Sequence, residues 1–191
     1  FILSKKHIKK AILSYLSKIY KKYSALEGSG DKGTAHSYIE NYYHHKFDKI
    51  RLNKLNILEI GVSTGLSLEM WSEYFPNSNI IGVELKNIDY RPTNSRIKLI
   101  IGNGTDSKTF EKVDQLDIII DDGSHIFTDQ IFSYAILYHK LNKGGIYVIE
   151  DVRNIDQVGV FFYRLNMNTK IFDFRKLKNR HDDVIVEIMK V

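Results

Sequence analysis

Two acidic clusters, each directly behind an apolar run, carry side chains that could perform chemistry. Residues 121–125 read Asp-Asp-Gly-Ser-His after one apolar run, and Glu150 and Asp151 follow another. Four carboxylates in one cleft would repel one another unless a cation or protons compensated their charge. Because the chain has no cysteine, it offers a metal only oxygen and imidazole ligands, which favour Mg²⁺, Mn²⁺ or Ca²⁺.

The two clusters together predict a metal-assisted proton abstraction. We expect Asp122, Glu150 and Asp151 to bind the metal and to leave open positions for two acceptor oxygens. A bound cation lowers the pKa of a hydroxyl that it contacts. His125 would then take the proton as general base, since imidazole titrates near neutrality, so that Asp122 and His125 are the predicted catalytic residues. Asp121 should face a cofactor instead, because neighbouring strand residues point to opposite sides of a sheet.

Either cluster alone is equally compatible with an ordinary structural role. Asp-Asp-Gly is a common turn sequence, His125 could cap a helix, and Glu150 with Asp151 could begin one. Both clusters, however, end neighbouring strands of the sheet that the sequence predicts. Open α/β sheets bind their ligands at such strand ends, which favours a site over two unrelated turns.

A glycine-rich turn at residues 61–65 follows the first apolar strand and precedes a helix. Glycine lets the backbone turn sharply and approach a ligand closely. A dinucleotide fingerprint has three glycines in the pattern G-x-G-x-x-G, which this turn lacks, and an acidic residue at 59 suits a ligand with an ammonium group and no phosphate. We therefore predict S-adenosylmethionine as the cofactor, with a nicotinamide dinucleotide as the alternative. The expected contacts around this turn are Glu59, Gly61, Ser63 and Gly65.

Two further positions should contact the adenosine half of that cofactor. Glu84 closes the second strand, where a carboxylate can accept hydrogen bonds from both ribose hydroxyls. The loop after the third strand sits where an adenine-flanking segment belongs, although an ordinary polar turn is the alternative. Its expected contacts are Gly102, Asn103 and Thr105.

Strands and helices alternate along the chain in a way that would position these loops. Five apolar runs separated by helices predict a parallel sheet covered on both faces, and two final runs joined by a short turn predict an antiparallel hairpin. We thus expect an α/β fold, a Rossmann-like doubly wound seven-stranded sheet of the class I methyltransferase type with extra N-terminal helices. The predicted strands are 55–60, 79–84, 97–101, 116–120, 145–149, 170–174 and 184–189. The predicted helices are 4–23, 34–48, 66–75, 107–113, 128–139 and 157–165.

Length and charge suit one domain with a basic N-terminal extension. The chain has 191 residues and a net charge of +5, and seven of its 28 Lys and Arg but no acid fall within residues 1–22. Such a segment can bind phosphates or a membrane surface, or it can be a solvated helix face or dock to another domain. We expect residues 1–50 to form a helical part of the same domain, 51–191 to form the catalytic core, and the whole to be cut from a longer protein.

Several segments resemble the sugar O-methyltransferases of macrolide tailoring, the mycinamicin-type family, with relatives among rhamnosyl methyltransferases and cephalosporin hydroxylase-like proteins. The combination of Asp-Asp-Gly-Ser-His with Ile-Glu-Asp is fairly specific for this family. The first 25 residues do not take part in the resemblance. The matching segments are 31–38 with its Asp-Lys-Gly, His36 and Tyr38, then 58–65, 67–71, 74–76, 120–125 and 144–151.

The resemblance implies a magnesium-dependent methylation of a sugar hydroxyl, for example of a rhamnose in a glycan or glycoside. It implies the metal at Asp122, Glu150 and Asp151 and the base at His125. It also implies that residues 32–38 lie over the cofactor, and the contacts expected there are Lys32, His36 and Tyr38. The chain lacks the long N-terminal region with which the macrolide enzymes build their oligomer and acceptor pocket, so it leaves the oligomeric state and the acceptor open.

Other functions stay as alternatives to a sugar acceptor. A catechol would chelate the same metal, and the basic N-terminal segment suggests a nucleic-acid methyltransferase, against which the acidic cleft argues. An iron oxygenase would need two His and a carboxylate, whereas the cluster has one His. We expect a sugar or glycan acceptor, no nucleic acid, neighbouring domains of a longer glycan-modifying protein as partners, and a cytoplasmic location. No apolar run approaches the length of a membrane span.

Overall fold

The protein is described here by a computed structural model that covers residues 13–26, 30–165 and 168–191. Seven strands form one sheet, and helices cover both of its faces. The strands are β1 (Asn56–Ile60), β2 (Asn79–Glu84), β3 (Ile97–Ile101), β4 (Leu116–Asp121), β5 (Leu141–Ile149), β6 (Asn168–Asp173) and β7 (Val184–Met189). The helices are α1 (Tyr15–Ser24), a π-helix (Ile39–Tyr43), α2 (His44–Phe47), α3 (Leu66–Tyr74), α4 (Phe127–Leu137), α5 (Ile155–Arg164) and α6 (Arg175–Lys178), with 3₁₀ turns at Ser107–Phe110 and Tyr138–Lys140.

The sheet order is β3-β2-β1-β4-β5-β7-β6. The first five strands are parallel, and β7 runs antiparallel between β5 and β6. This confirms the predicted doubly wound sheet with a C-terminal antiparallel pair. Since β1 lies between β2 and β4, and β5 lies beyond β4, the loops that follow these strands meet at one edge of the sheet.

Two apolar clusters, one on each face of the sheet, hold the layers together. The first joins the N-terminal helices and α3 to the sheet through large aromatic side chains such as Tyr43, Phe47 and Trp71, all fully buried. The second packs α4 and α5 on the opposite face. Strands buried on both faces read as continuous apolar runs, which is why the sequence identifies them. None of the described helices is long and apolar enough to cross a membrane.

Several predicted boundaries differ from the structure, most of all near residue 34. The predicted helix 34–48 starts only at the π-helix, because residues 31–38 use their backbone in turns: the amides of Thr34 and His36 both donate to the carbonyl of Asp31. The predicted helix 107–113 is a single 3₁₀ turn. Part of the predicted helix 4–23 lies outside the described residues; its remainder begins after Ser14, whose hydroxyl accepts the amide of Ser17 at 3.0 Å.

One buried carboxylate fixes the loop that packs against the glycine-rich turn. Glu69 on α3 accepts hydrogen bonds from the Tyr90 hydroxyl at 2.8 Å and from the Thr93 amide at 2.9 Å. The Tyr90 ring in turn lies directly against Gly65, where an added Cβ would come within 2.3 Å of it. The first site-forming loop is therefore held from behind by α3.

We expect Glu69→Ala to lower the free energy of unfolding by about 3 kcal/mol, since it leaves buried donors without an acceptor. Urea unfolding measures this change. Glu73→Ala is a matched control on the same helix: its carboxylate bonds Lys22 at the surface, where an ion pair contributes little to stability. Equal losses in the two variants would contradict the anchoring role of Glu69.

Candidate active site

A cleft of about 760 Å³ opens at the carboxyl ends of β1, β2, β4 and β5. Its size lies within the range of small-molecule sites. Most of the predicted site residues line it: Lys32, Gly61, Ser63, Glu84, Gly102, Asn103, Thr105, Asp121, Asp122, His125 and Asp151. The remaining five are not among its lining residues: His36, Tyr38, Glu59, Gly65 and Glu150.

The glycine-rich turn forms one wall of the cleft and is held by Glu84. Gly61 and Gly65 have φ angles of +85° and +84°, and Ser63 between them has φ 51°. Glu84 Oε2 accepts the amides of Val62 and Ser63 at 3.0 and 2.9 Å. Its Oε1 accepts the amide of the next residue at 2.8 Å and keeps capacity for a further donor.

The loop after β3 forms the facing wall. Asn103 Oδ1 accepts both the amide and the hydroxyl of Thr105 at 2.9 Å, which closes a tight turn. A Cβ on Gly102 would come within 2.6 Å of the Thr109 hydroxyl, and one on Gly104 within 2.8 Å of Ile60. These two glycines therefore let the loop pack closely against Thr109 and Ile60 while it lines the cleft.

Among the described residues, three groups of acidic residues and histidines could hold a cation: two of them share Asp122, and the third joins Asp31, His36 and Asp151. Asp122, His125 and Asp151 offer ligand atoms within 4.8 Å of one another, and so do Glu59, Asp122 and Glu150. Within the described part of the chain no such group contains all three predicted metal ligands. His125 Nε2 lies 3.8 Å from Asp151 Oδ2 and 4.0 Å from Asp122 Oδ1.

Lys32 lies between the carboxylates of the second group. Its Nζ is 2.6 Å from Asp122 Oδ2, 2.6 Å from Glu150 Oε1 and 3.2 Å from Glu59 Oε1, and its side chain is 3% exposed. Burial alone would lower the pKa of this ammonium, but the three carboxylates raise it well above its ordinary value. Lys32, which the resemblance predicts to contact the cofactor, is therefore the counter-ion of these three carboxylates in the structure.

Tyrosine hydroxyls orient the two carboxylates behind β5. Tyr43 donates a hydrogen bond to Glu150, and Tyr38 donates one to Asp151 Oδ1 at 2.7 Å. Burial raises the pKa of Glu150 well above its ordinary value and also raises that of Asp151. The sequence does not predict that Tyr43 orients Glu150, because only its position in the fold distinguishes it from the neighbouring Tyr42.

His36 and Tyr38 lie behind Asp151. The His36 ring stacks on Tyr38, and its Nδ1 is 3.3 Å from Asp151 Oδ1. Lys178 holds the segment in place by donating to the backbone carbonyls of Gly33, Thr34 and His36. No motif in the sequence points to Lys178, since it recognises backbone atoms.

Asp121 and Glu59 are buried carboxylates among the predicted cofactor contacts. Asp121 accepts a hydrogen bond from the Tyr147 hydroxyl at 3.3 Å, and burial raises its pKa to about 7. Glu59 is fully buried beneath the glycine-rich turn, where its Oε2 accepts the Ser67 hydroxyl at 2.7 Å. Burial raises the pKa of Glu59 as well.

The donor set of the cleft fits a hard divalent cation. Its candidate ligands are carboxylate oxygens and one imidazole, and hard cations such as Mg²⁺ and Mn²⁺ prefer such oxygen-rich sets. The two loop walls, with the Glu84 carboxylate at the end of β2, suit an adenosine-bearing molecule. His125 and Asp151 both have positive φ angles, 57° and 54°, and backbone strain of this kind concentrates at functional sites.

Comparison with known proteins agrees with this architecture. No family model matches the chain. The chain is 31% identical over 140 residues to the 8-demethyl-8-alpha-L-rhamnosyl tetracenomycin-C 2'-O-methyltransferase of Streptomyces olivaceus, covering 68% of this chain and 36% of the relative. It is 34% identical over 131 residues to the mycinamicin VI 2''-O-methyltransferase of Micromonospora griseorubida, covering 63% of this chain and 32% of the relative. The chain thus spans about a third of the length of these curated relatives.

A solved structure shares the fold over nearly the whole chain. The MycE methyltransferase of the mycinamycin biosynthetic pathway, in complex with Mg, SAH and mycinamycin VI, superposes with a TM-score of 0.72 at 24% identity. The match covers 92% of this chain and 54% of that chain. The chain is therefore a homologue of sugar O-methyltransferases and has the fold of a class I methyltransferase.

Proposed function

We propose that the chain is the catalytic part of an S-adenosylmethionine-dependent O-methyltransferase that acts on a sugar hydroxyl with the help of a divalent cation. The observation that carries the proposal is that one cleft contains both the glycine-rich turn with Glu84 and the group of Asp122, His125 and Asp151. The first half suits an adenosyl cofactor, and the second half suits proton abstraction beside a cation.

The loop residues would hold the cofactor. Glu84 would accept ribose hydroxyls with its free lone pairs, while the backbone of residues 61–65 and 102–105 would pack along the nucleoside. When bound, the cofactor supplies a sulfonium methyl group to an incoming oxygen. The protein's own contribution is to hold the acceptor and this methyl in line, which accounts for much of the rate in such transfers.

Asp122, Glu150 and Asp151 would hold the cation, whose role is to acidify an acceptor hydroxyl. His125 would take the proton of that hydroxyl at Nε2, which lies beside Asp122 and Asp151. These two carboxylates stabilise the protonated imidazole that results. Tyr38 and Tyr43 keep Asp151 and Glu150 in fixed orientations.

The acceptor class follows from the relatives. The tetracenomycin relative and an L-olivosyl-oleandolide 3-O-methyltransferase of Streptomyces antibioticus act on rhamnosyl and olivosyl groups, so a deoxysugar hydroxyl is the first acceptor to test. We also propose that the catalytic chain works beside other domains of a longer glycan-modifying protein. A cytoplasmic location goes with the proposal, because its methyl donor is a metabolite of the cell interior.

We expect calorimetric titration to show micromolar binding of S-adenosylmethionine and methyl transfer to a deoxysugar glycoside in the presence of Mg²⁺. EDTA should slow the transfer by about a hundredfold or more, because the acceptor hydroxyl would lose its acidifying cation. A simple catechol serves as the control acceptor. Faster transfer to catechol would replace the sugar in the proposal, transfer indifferent to EDTA would remove the cation, and absence of cofactor binding would refute the proposal as a whole.

A further inference from the structure

Lys32 stands where a cation would be expected. Its ammonium is 2.6 Å from both Asp122 Oδ2 and Glu150 Oε1, two of the carboxylates assigned above to the metal. The side chain is 3% exposed, so the ammonium is withdrawn from solvent and is held by these acids. A divalent ion and this ammonium could not occupy the same carboxylate oxygens together.

The third neighbour of Lys32 offers it an alternative partner. Glu59 Oε1 lies 3.2 Å from Lys32 Nζ and has no hydrogen-bond partner among the described residues, although Glu59 is fully buried. Its other oxygen is occupied by the Ser67 hydroxyl at 2.7 Å. A small rotation of the lysine side chain would therefore exchange Asp122 and Glu150 for Glu59 and leave no buried charge unpaired.

We propose that Lys32 is a built-in counter-ion of the metal site, which neutralises Asp122 and Glu150 in the metal-free protein and is displaced toward Glu59 by a divalent ion. The inference rests on the proposed function, because it needs a divalent ion at these carboxylates. Its physical basis is competition: the ion must first break two short ion pairs, so Lys32 lowers the affinity of the site while it keeps the empty site folded.

The test measures Mn²⁺ affinity, without cofactor or acceptor, from the electron paramagnetic resonance signal of free Mn²⁺. Lys32→Met keeps an unbranched side chain that is one atom shorter and removes its charge, and it should bind Mn²⁺ about tenfold or more tightly than the wild type. Lys32→Gln retains a hydrogen-bond donor and should shift the affinity in the same direction, which keeps the test valid if the methionine variant folds poorly.

Lys46→Met is the matched control. Lys46 Nζ lies 2.7 Å from Glu187 Oε1, a carboxylate that is likewise buried, but neither residue lines the cleft. This variant should lose stability and bind Mn²⁺ like the wild type. Thermal unfolding gives a second readout. The melting temperature of Lys32→Met should be lower than that of the wild type in EDTA, and saturating Mn²⁺ should raise it by more than it raises that of the wild type.

Unchanged or weaker Mn²⁺ binding in both Lys32 variants would overturn the inference, as would the absence of Mn²⁺ binding in every form of the protein. A parallel titration with S-adenosylmethionine separates these results from a failure of the proposed function. If the Lys32 variants lost only their affinity for the cofactor, Lys32 would be a cofactor contact and the counter-ion role would be wrong. If they bound the cofactor normally and their Mn²⁺ affinity did not change, the counter-ion role would be wrong while the proposed methyltransferase function would stand.

Discussion

His125→Asn should slow methyl transfer by about a hundredfold to ten-thousandfold, the usual contribution of a positioned general base. Asparagine keeps a polar side chain, shorter than that of histidine, but cannot accept a proton at neutral pH. His125 is placed for this task by the turn after β4, with Nε2 3.8 Å from Asp151 Oδ2. The measurement is kcat for transfer to a deoxysugar glycoside at saturating cofactor and Mg²⁺.

The binding of cofactor and cation separates a chemical defect from a folding defect. The affinity of His125→Asn for S-adenosylmethionine should be within about twofold of that of the wild type, because the substitution slows the proton transfer and leaves the binding of the cofactor intact. His139→Asn is the control, because this histidine is exposed in the middle of the 3₁₀ turn that follows α4. A His125→Asn enzyme that retained a third of the wild-type rate would remove the general base from the proposed mechanism.

The sheet was predictable from sequence because its central strands are buried on both faces. Runs such as Ile118–Ile119–Ile120, all within 1% exposure, cannot be solvent-facing strands, and the short connections between runs limit their pairing. The strand ends then follow from topology, so the meeting of the glycine-rich turn with the two acidic clusters could be inferred before any coordinates. The helix at residues 34–48 was wrong in its start because turn bonds among residues 31–38 compete with helical ones.

The inner layer of the site was beyond sequence reasoning. Lys32 pairs with Asp122 across 90 positions and with Glu150 across 118, and Tyr38 reaches Asp151 across 113. No local periodicity encodes such pairs; they depend on how residues 31–38 fold across the end of the sheet. The resemblance pointed to this segment, but only the three-dimensional arrangement places Lys32 among carboxylates.

Gly61→Ala should damage the fold and the cleft together. At φ +85° an alanine is strained, and its Cβ would lie 2.0 Å from the carbonyl oxygen of Asp122 and 3.1 Å from the Cα of Gly123. These are backbone atoms, and hydrogen bonds hold the two segments that carry them. The Gly61 amide donates to the Val83 carbonyl at 2.9 Å, and the Asp122 amide donates to the Ile60 carbonyl at 3.0 Å. No flexible side chain can yield, so the turn and the acidic loop must move apart.

Strain and overlap together should cost about 2–5 kcal/mol of unfolding free energy and should weaken both cofactor and Mn²⁺ binding in the folded fraction. Gly144→Ala separates the two causes, because Gly144 also has a positive φ, +79°, but has nothing within 4 Å of an added Cβ. The unfolding free energy of Gly144→Ala should fall only by the strain of the backbone angle, roughly 1 kcal/mol, and its cofactor and Mn²⁺ binding should be unchanged. Urea unfolding and calorimetry measure both quantities, and equal losses in the two variants would mean that the contact between Gly61 and Asp122 does not hold the halves of the cleft together.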